Sequence, residues 1–269
     1  MVKGIEMNFR DKIVWITGAS SGIGEGLLYE LDRQGAKIII SSRKEESLKD
    51  VKAKCSNQDN ISVLALDLSK HDELNDLAEK AWTLHGKIDV VILNGGISQR
   101  ALAKDSKLDV VKQLMNVNYF GNVALTQALL PKMVANKNGH FVVVTSLTGK
   151  FGTPYRSAYA ASKHACHGYF DSLRAEHVSD GIYVTIVCPG FIKTNISINA
   201  LQGDGSKLGQ MDDAQANGMP TDVFARKCLN SIAAKKDEVY IGGKELMGVY
   251  LKRFLPSIFN KMIAKAKVR

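Results

Sequence analysis

The chain has 269 residues, 45% of them hydrophobic and 23% charged, with a formal charge of +9 at pH 7; that length can bury a large core as one α/β domain over residues 1–269. No run of about 18 uninterrupted apolar residues occurs, which excludes a membrane-crossing helix, and the opening MVKGIEMNFR is too short and polar for a secretory leader. Residues 244–269 hold seven Lys or Arg against Glu245 and so carry +6, leaving +3 for the rest and no basic reading motif for nucleic acid.

In chain order, Lys12 to Thr17 (KIVWIT) is a short apolar run that predicts a strand. GASSGIG follows at once, and then GLLYELDRQG, in which Leu27, Leu28 and Leu31 recur at helical spacing up to a stop at Gly35. Strand, glycine turn and helix together make a phosphate cradle: glycines allow close backbone approach, and the new helix offers free N–H groups. Gly18, Ser20, Ser21, Gly22, Ile23 and Gly24 are its candidate contacts. The runs AKIII, ISVLAL, DVVIL, HFVVV and YVTIV alternate with helical patterns, one of them at Asp72 to Trp82 with Ser69 and Asp72 as a candidate capping box. EVYIGG near Glu238 supplies a seventh strand. Such continuous apolar runs suit a doubly wound, Rossmann-like parallel sheet with helices on both faces.

Ser146 follows the strand HFVVVT, where a serine serves as a turn or cap residue or aims its hydroxyl at a ligand. Tyr159 and Lys163, in SAYAASKHACHGYF, lie four apart and leave the same helical face. A cation beside a phenol favours the ionised form and fits it for proton transfer, although the same spacing is common in ordinary surface pairs. Cysteines 55, 166, 188 and 228 show no Cys-x-x-Cys spacing and read as reduced thiols of a cytoplasmic protein. His164 and His167, three apart with no carboxylate pattern beside them, do not make a metal site.

TGASSGIG at Thr17 to Gly24, LNGGI at Leu93 to Ile97, MNVNYFG at Met115 to Gly121, VVVTSLTG around Ser146, YAASK at Tyr159 to Lys163 and CPGFIKT at Cys188 to Thr194 occur in the order of the short-chain dehydrogenase/reductase family, which the chain resembles. NGGISQR combined with NYFG resembles its dehydrogenase/reductase member 7 group. The resemblance implies an NADP(H)-dependent oxidoreductase that interconverts a carbonyl and an alcohol, acting as a homodimer or homotetramer. Ser146, Tyr159 and Lys163 match the family's catalytic serine, tyrosine and lysine. Asn118 matches the asparagine that kinks a helix and holds a water linking the lysine to solvent, with Asn116 as the alternative. Asp67, with Leu68, matches a position near the adenine, Asn94 and Gly95 the adenosine side, and Pro189, Gly190 and Thr194 the nicotinamide carboxamide.

Cofactor choice turns on IIISSRK. Ser42 stands where an acid would bond the NAD ribose, and Arg43 follows, with Lys44 able to share its role, so the pattern suits a 2′-phosphate. Leu93-Asn94-Gly95-Gly96 replaces the family's Asn-Asn-Ala-Gly and adds backbone freedom. The polar stretch from Ile198 to Pro220 is expected to form a mobile lid over the substrate. After Pro256, Ile258, Phe259, Met262, Ile263 and Ala266 fall on one side of a basic amphipathic segment, which suits an anionic membrane surface or docking on the domain or a second subunit. A cofactor-binding scaffold without turnover, or an epimerase or dehydratase, are the rival functions; the first is expected to lack the Tyr or the Lys, and the second needs further acid/base groups.

Overall fold

Each continuous apolar run supplies a parallel strand, buried in the middle of the sheet and half-buried at its two edges. The computed structural model describes residues 9–266; the opening residues 1–8, and residues 267–269 of the expected basic segment, lie outside them. Strands β1 (Ile13–Thr17), β2 (Lys37–Ser41), β3 (Ile61–Val63), β4 (Val90–Leu93), β5 (Gly139–Val144), β6 (Ile182–Pro189) and β7 (Glu238–Ile241) form one sheet in the order β3-β2-β1-β4-β5-β6-β7. Every pairing is parallel, with Trp15 lying opposite Ile39 on one side and Val91 on the other. The strand order reverses between β1 and β4, and a crevice opens at the carboxyl ends of strands at such a switch point.

The helices are α1 (Gly22–Arg33), α2 (Glu45–Lys52), α3 (His71–His85), α4 (Leu108–Met115), α5 (Gly121–Ala135), α6 (Ser157–Glu176), α7 (Asp213–Ala216), α8 (Thr221–Ala233), α9 (Met247–Phe254) and α10 (Pro256–Ile263). Successive strand side chains point to opposite faces, so β1 feeds two cores. Val14 and Ile16 pack with Leu27, Leu48 and Phe224 from α1, α2 and α8. Ile13 and Trp15 pack with Leu74, Leu125 and Phe170 from α3, α5 and α6. The doubly wound sheet expected from the sequence is the fold.

Two local expectations are corrected. Ser69 and Asp72 do not form a capping box: α3 starts at His71 with Lys70 at its cap. Instead the Ser69 amide and hydroxyl donate to Asp67 Oδ1 at 2.9 and 2.8 Å, because a nearby Asp carboxylate competes locally for these donors. The stretch from Ile198 to Pro220 is not a free lid but is tied to the body. Leu201 N donates to Ser98 O and Arg100 N to Leu201 O, both at 2.8 Å, and Asp212 is buried against Arg100. A paired buried carboxylate anchors the loop, since drawing it out would separate two charges already stripped of water.

Candidate active site

The ends of β1 and β4 are held together by Thr17 and Asn94. Asn94 Nδ2 donates to the carbonyls of Thr17 and Gly18 at 3.0 and 3.1 Å, while the amides of Asn94 and Gly95 donate to Thr17 Oγ1 at 3.1 and 3.0 Å. This brings two backbones into contact: a Cβ on Gly18 would lie 2.7 Å from Gly95 Cα, and one on Gly24 would overlap the Gly18 carbonyl oxygen. The Gly95 that departs from the family pattern is therefore fixed by hydrogen bonds on a neighbouring side chain and on its own amide. Gly22 has φ +61° and lies under Thr194, whose Cγ2 would be 3.0 Å from an added Cβ. Ser20 and Ser21 lie in the turn between them, and Ser21 caps α1 with extended backbone and no side-chain cap bond, leaving the first N–H groups of α1 for a ligand. A dinucleotide phosphate fits these features.

Further along the edge, β2 and β3 end side by side, with Leu66 N donating to Ser42 O at 2.9 Å. Arg43 and Lys44 are exposed there. Burial acts to raise the Asp67 carboxyl, but hydrogen bonds from Ser69 and the charges of Arg43 and Lys70 outweigh it and hold the group below its ordinary value. Leu68 is buried against this loop, its Cδ1 2.7 Å from where a Gly95 Cβ would stand.

A cavity of about 470 Å³ opens beside the glycine turn. Ile23, Asn94, Pro189, Gly190 and Thr194 line it, together with Ser146, Tyr159 and Lys163; Gly18, Ser42, Arg43, Lys44, Asp67 and Leu68 lie beyond it along the sheet edge. Ser146 caps a short 3₁₀ turn, its Oγ accepting from Thr148 N at 3.1 Å. That bond uses an acceptor lone pair and leaves the hydroxyl proton available to donate. Tyr159 is 8% exposed. Lys163 Nζ lies 5.8 Å from the centre of its ring and donates to Val144 O at 2.9 Å, so charge developing on the phenol faces a cation in a poorly solvated place.

Asn118 sits in a π-helical turn, Asn116–Phe120, between α4 and α5. Its Oδ1 accepts from Ile97 N at 2.8 Å, and its Nδ2 donates to Ile97 O at 2.9 Å and Ser162 Oγ at 3.0 Å. The buried side chain thus braces the Gly96-Ile97 loop against α6, the helix of Tyr159 and Lys163. Asn116, only half-buried, instead accepts from His71 Nε2 through its carbonyl at 3.0 Å.

Several lining or supporting residues carried no signal in the sequence. Gln99 is fully buried, and its Oε1 accepts from the amides of Ala158 and Tyr159 at 2.9 and 3.4 Å. It supplies the α6 cap that Arg156, at the cap position, does not. Arg100 Nε donates to Asp212 Oδ2 at 2.8 Å, and Arg156 reaches the same oxygen at 3.5 Å. Burial, then the like charge of Arg100, pushes the Arg156 guanidinium down to about 10. Gln215 Nε2 bonds the Ile192 carbonyl and Thr194 Oγ1, and Glu245 Oε1 accepts from Phe191 N at 2.9 Å, so both fix the segment after β6. The far wall comes from α9 and α10: Phe259 is buried with its ring 5.0 Å from that of Phe151. Only the basic amphipathic pattern of α10 hinted at this wall.

The chain matches the short chain dehydrogenase family over residues 12–204. It is 40% identical over 267 residues to a dehydrogenase/reductase SDR family member 7B of Xenopus tropicalis, covering 96% of this chain and 86% of that protein. To a dehydrogenase/reductase SDR family protein 7-like of Drosophila melanogaster it is 39% identical over 264 residues, covering 96% and 81%. Among solved structures, a short chain dehydrogenase from Burkholderia cenocepacia in complex with NADP superposes with a TM-score of 0.80 at 22% identity, covering 97% of this chain and 100% of that one. One from Burkholderia phymatum in complex with NAD gives 0.82 at 20% identity, covering 93% and 96%. At that identity the two structures speak for the fold.

Proposed function

The chain belongs to the short-chain dehydrogenase/reductase family, in its member 7 group, and we propose that this oxidoreductase interconverts a carbonyl and an alcohol using NADP(H), with Tyr159 as the proton carrier. The observation that carries the reading is the convergence of Ser146, Tyr159 and Lys163 on the cavity that Ile23, Asn94 and Thr194 also line. A nicotinamide, when bound, supplies or takes the hydride. In the direction of reduction, the Ser146 hydroxyl donates to the substrate oxygen, orienting and polarising it. The Tyr159 hydroxyl passes its proton to that oxygen as it gains charge, and the nearby Lys163 ammonium stabilises the phenolate left behind. Oxidation runs the same proton back to Tyr159.

Preference for the phosphorylated cofactor is supported by the absence of an acid at the end of β2 and by the exposed cations of Arg43 and Lys44 in its place. An oxidation screen of NADPH across lipophilic and small aromatic carbonyls identifies a working substrate, and a scaffold without turnover would bind NADPH and oxidise none of them. With that substrate saturating, Tyr159→Phe is expected to lose about 10²- to 10⁴-fold in turnover, the usual worth of general acid catalysis, while still quenching on NADPH titration. Turnover within about threefold of wild type would remove Tyr159 from the chemistry.

A further inference from the structure

Twelve large hydrophobic side chains are exposed among the described residues, and half of them fall in the short stretch 247–262: Met247, Tyr250, Phe254, Leu255, Ile258 and Met262. Phe254 is 72% exposed and Ile258 56%. Met247, Tyr250 and Phe254 follow i, i+3, i+7 along α9, and Leu255, Ile258 and Met262 repeat that spacing from the cap of α10 through its length. Each helix therefore carries an apolar stripe to the outside. Arg253 of α9, Lys261 of α10 and the flanking Lys244 and Lys265 are exposed, whereas Lys252 is half-buried with its Nζ 5.8 Å from the Phe259 ring centre. Glu245, the sole acid after position 243, is turned inward and accepts from the amides of Phe191 and Gly243. The outer face of this hairpin is apolar and cationic.

Its inner face is the cavity wall. Leu251, Phe259, Ile263 and Ala266 line the space that holds Tyr159, and Met247 and Met262 both line it and reach the exposed face. Eight residues per helix span about 12 Å, well short of the roughly 30 Å of a bilayer's hydrocarbon. They can lie on a membrane but not cross it. A two-fold contact with a second copy is disfavoured because it would set the exposed Arg253 and Lys261 near their own counterparts.

We propose that the α9–α10 hairpin seats on the surface of an anionic phospholipid bilayer, with its inner side walling the cavity, so that the substrate is a lipophilic carbonyl or alcohol drawn from the lipid. The substrate class rests on the carbonyl/alcohol reading above; the docking itself does not. Apolar side chains enter the headgroup boundary while the lysines and arginine meet anionic headgroups.

The test uses the full chain and sedimentation with phosphatidylcholine vesicles, with or without phosphatidylserine, beside the variant Phe254→Ser/Ile258→Ser, whose two sites do not line the cavity. Wild type is expected to sediment with the phosphatidylserine vesicles and to lose several-fold in partition between about 0.1 and about 0.5 M salt. The variant is expected to bind them at least about tenfold more weakly. It should turn over a water-soluble carbonyl at the wild-type rate, while its KM for a lipophilic carbonyl presented in vesicles rises and kcat holds. Vesicle binding is read without turnover, so a protein that binds lipid but reduces nothing would sink the reaction and spare the docking. Failure of wild type to bind, or equal binding by the variant, overturns the docking. So does a lipid-free wild-type oligomer that becomes monomeric in the variant, which would give this face to a second copy. An unchanged KM for the vesicle-borne carbonyl overturns the lipid route for substrate.

Discussion

At the dinucleotide end of the crevice, Thr17, Gly18, Asn94 and Gly95 grip one another through backbone amides and carbonyls, the Asn94 side-chain amide and the Thr17 hydroxyl, all from the ends of two adjacent strands. At the substrate end the wall is drawn from Arg100, Arg156, Glu245 and the α9–α10 hairpin, with Asp212 behind it holding the two guanidiniums. The first end is held by hydrogen bonds between two adjacent strand ends, 76 to 78 residues apart in the chain, packed so closely that Gly18 has no room for a Cβ. The second is held by buried charge and apolar packing between segments more than fifty residues apart. A cradle built from the backbone of neighbouring strands is rigid, whereas a substrate wall built from side chains of loops and terminal helices can change with any one segment and leave the cradle intact.

Asp212→Ala probes this contrast with the largest expected effect. It removes the carboxylate that both buried guanidiniums contact, and breaking such a pair costs about 3–5 kcal/mol. Thermal and denaturant melts should register that loss, while NADPH affinity of the folded protein stays near wild type. Asp212→Asn, which keeps an acceptor, should cost less. A cost under about 1 kcal/mol would mean that the substrate wall does not depend on its ion cluster.

The reverse experiment alters the cofactor end alone. Ser42→Asp with Arg43→Ala exchanges a phosphate-friendly edge for one that bonds a ribose hydroxyl, and a charge-assisted Arg contact is worth about 1.5–3 kcal/mol. Preference should move toward NADH by roughly ten- to a hundredfold, with an unchanged melting temperature because both side chains lie outside the core. Tighter or equal NADH binding by the unmodified protein, in paired titrations, would discard the NADP(H) preference.

The smallest effect concerns pH at the start of β7. Burial acts to raise the Glu238 carboxyl, but the His167 ring 3.4 Å away and hydrogen bonds from Tyr240 and Lys150 hold it down to about 2. A carboxylate depressed on folding contributes stability that is complete above its unfolded value near 4.5 and is lost as pH falls through about 2. Glu238→Gln should therefore cost about 1–2 kcal/mol near neutrality once solvent screening is allowed for, and the deficit should shrink through that acid window. Melts of both proteins at descending pH measure it; a deficit that stays constant to the lowest pH would show that the Glu238 charge is not what stabilises β7.

Strand positions were legible because β-strands buried on both faces must be nearly continuous apolar runs, and the glycine turn was legible because few residues tolerate the φ of Gly18 and Gly22. The capping box at Ser69 was misread since a neighbouring Asp67 takes both donors, a competition that a motif of fixed spacing does not register. Gln99 gave no signal as the cap of α6, because its partners are about sixty residues away.

The sequence by itself determined the alternation of strands and helices and the cradle at β1, because each depends on periodicity or on residues near one another in the chain, while the candidate trio of Ser146, Tyr159 and Lys163 came from motifs that resemble a family's in their order. Only the tertiary structure decided that Ile198 to Pro220 is anchored by Asp212, that Gln99 sets the start of the Tyr159 helix, and that α10 turns Phe259 into the cavity wall while leaving Ile258 outside. Those outcomes depend on which distant surfaces meet. Burial then raises the cost of any charge or donor left unmatched, and no local pattern in the chain carries that information.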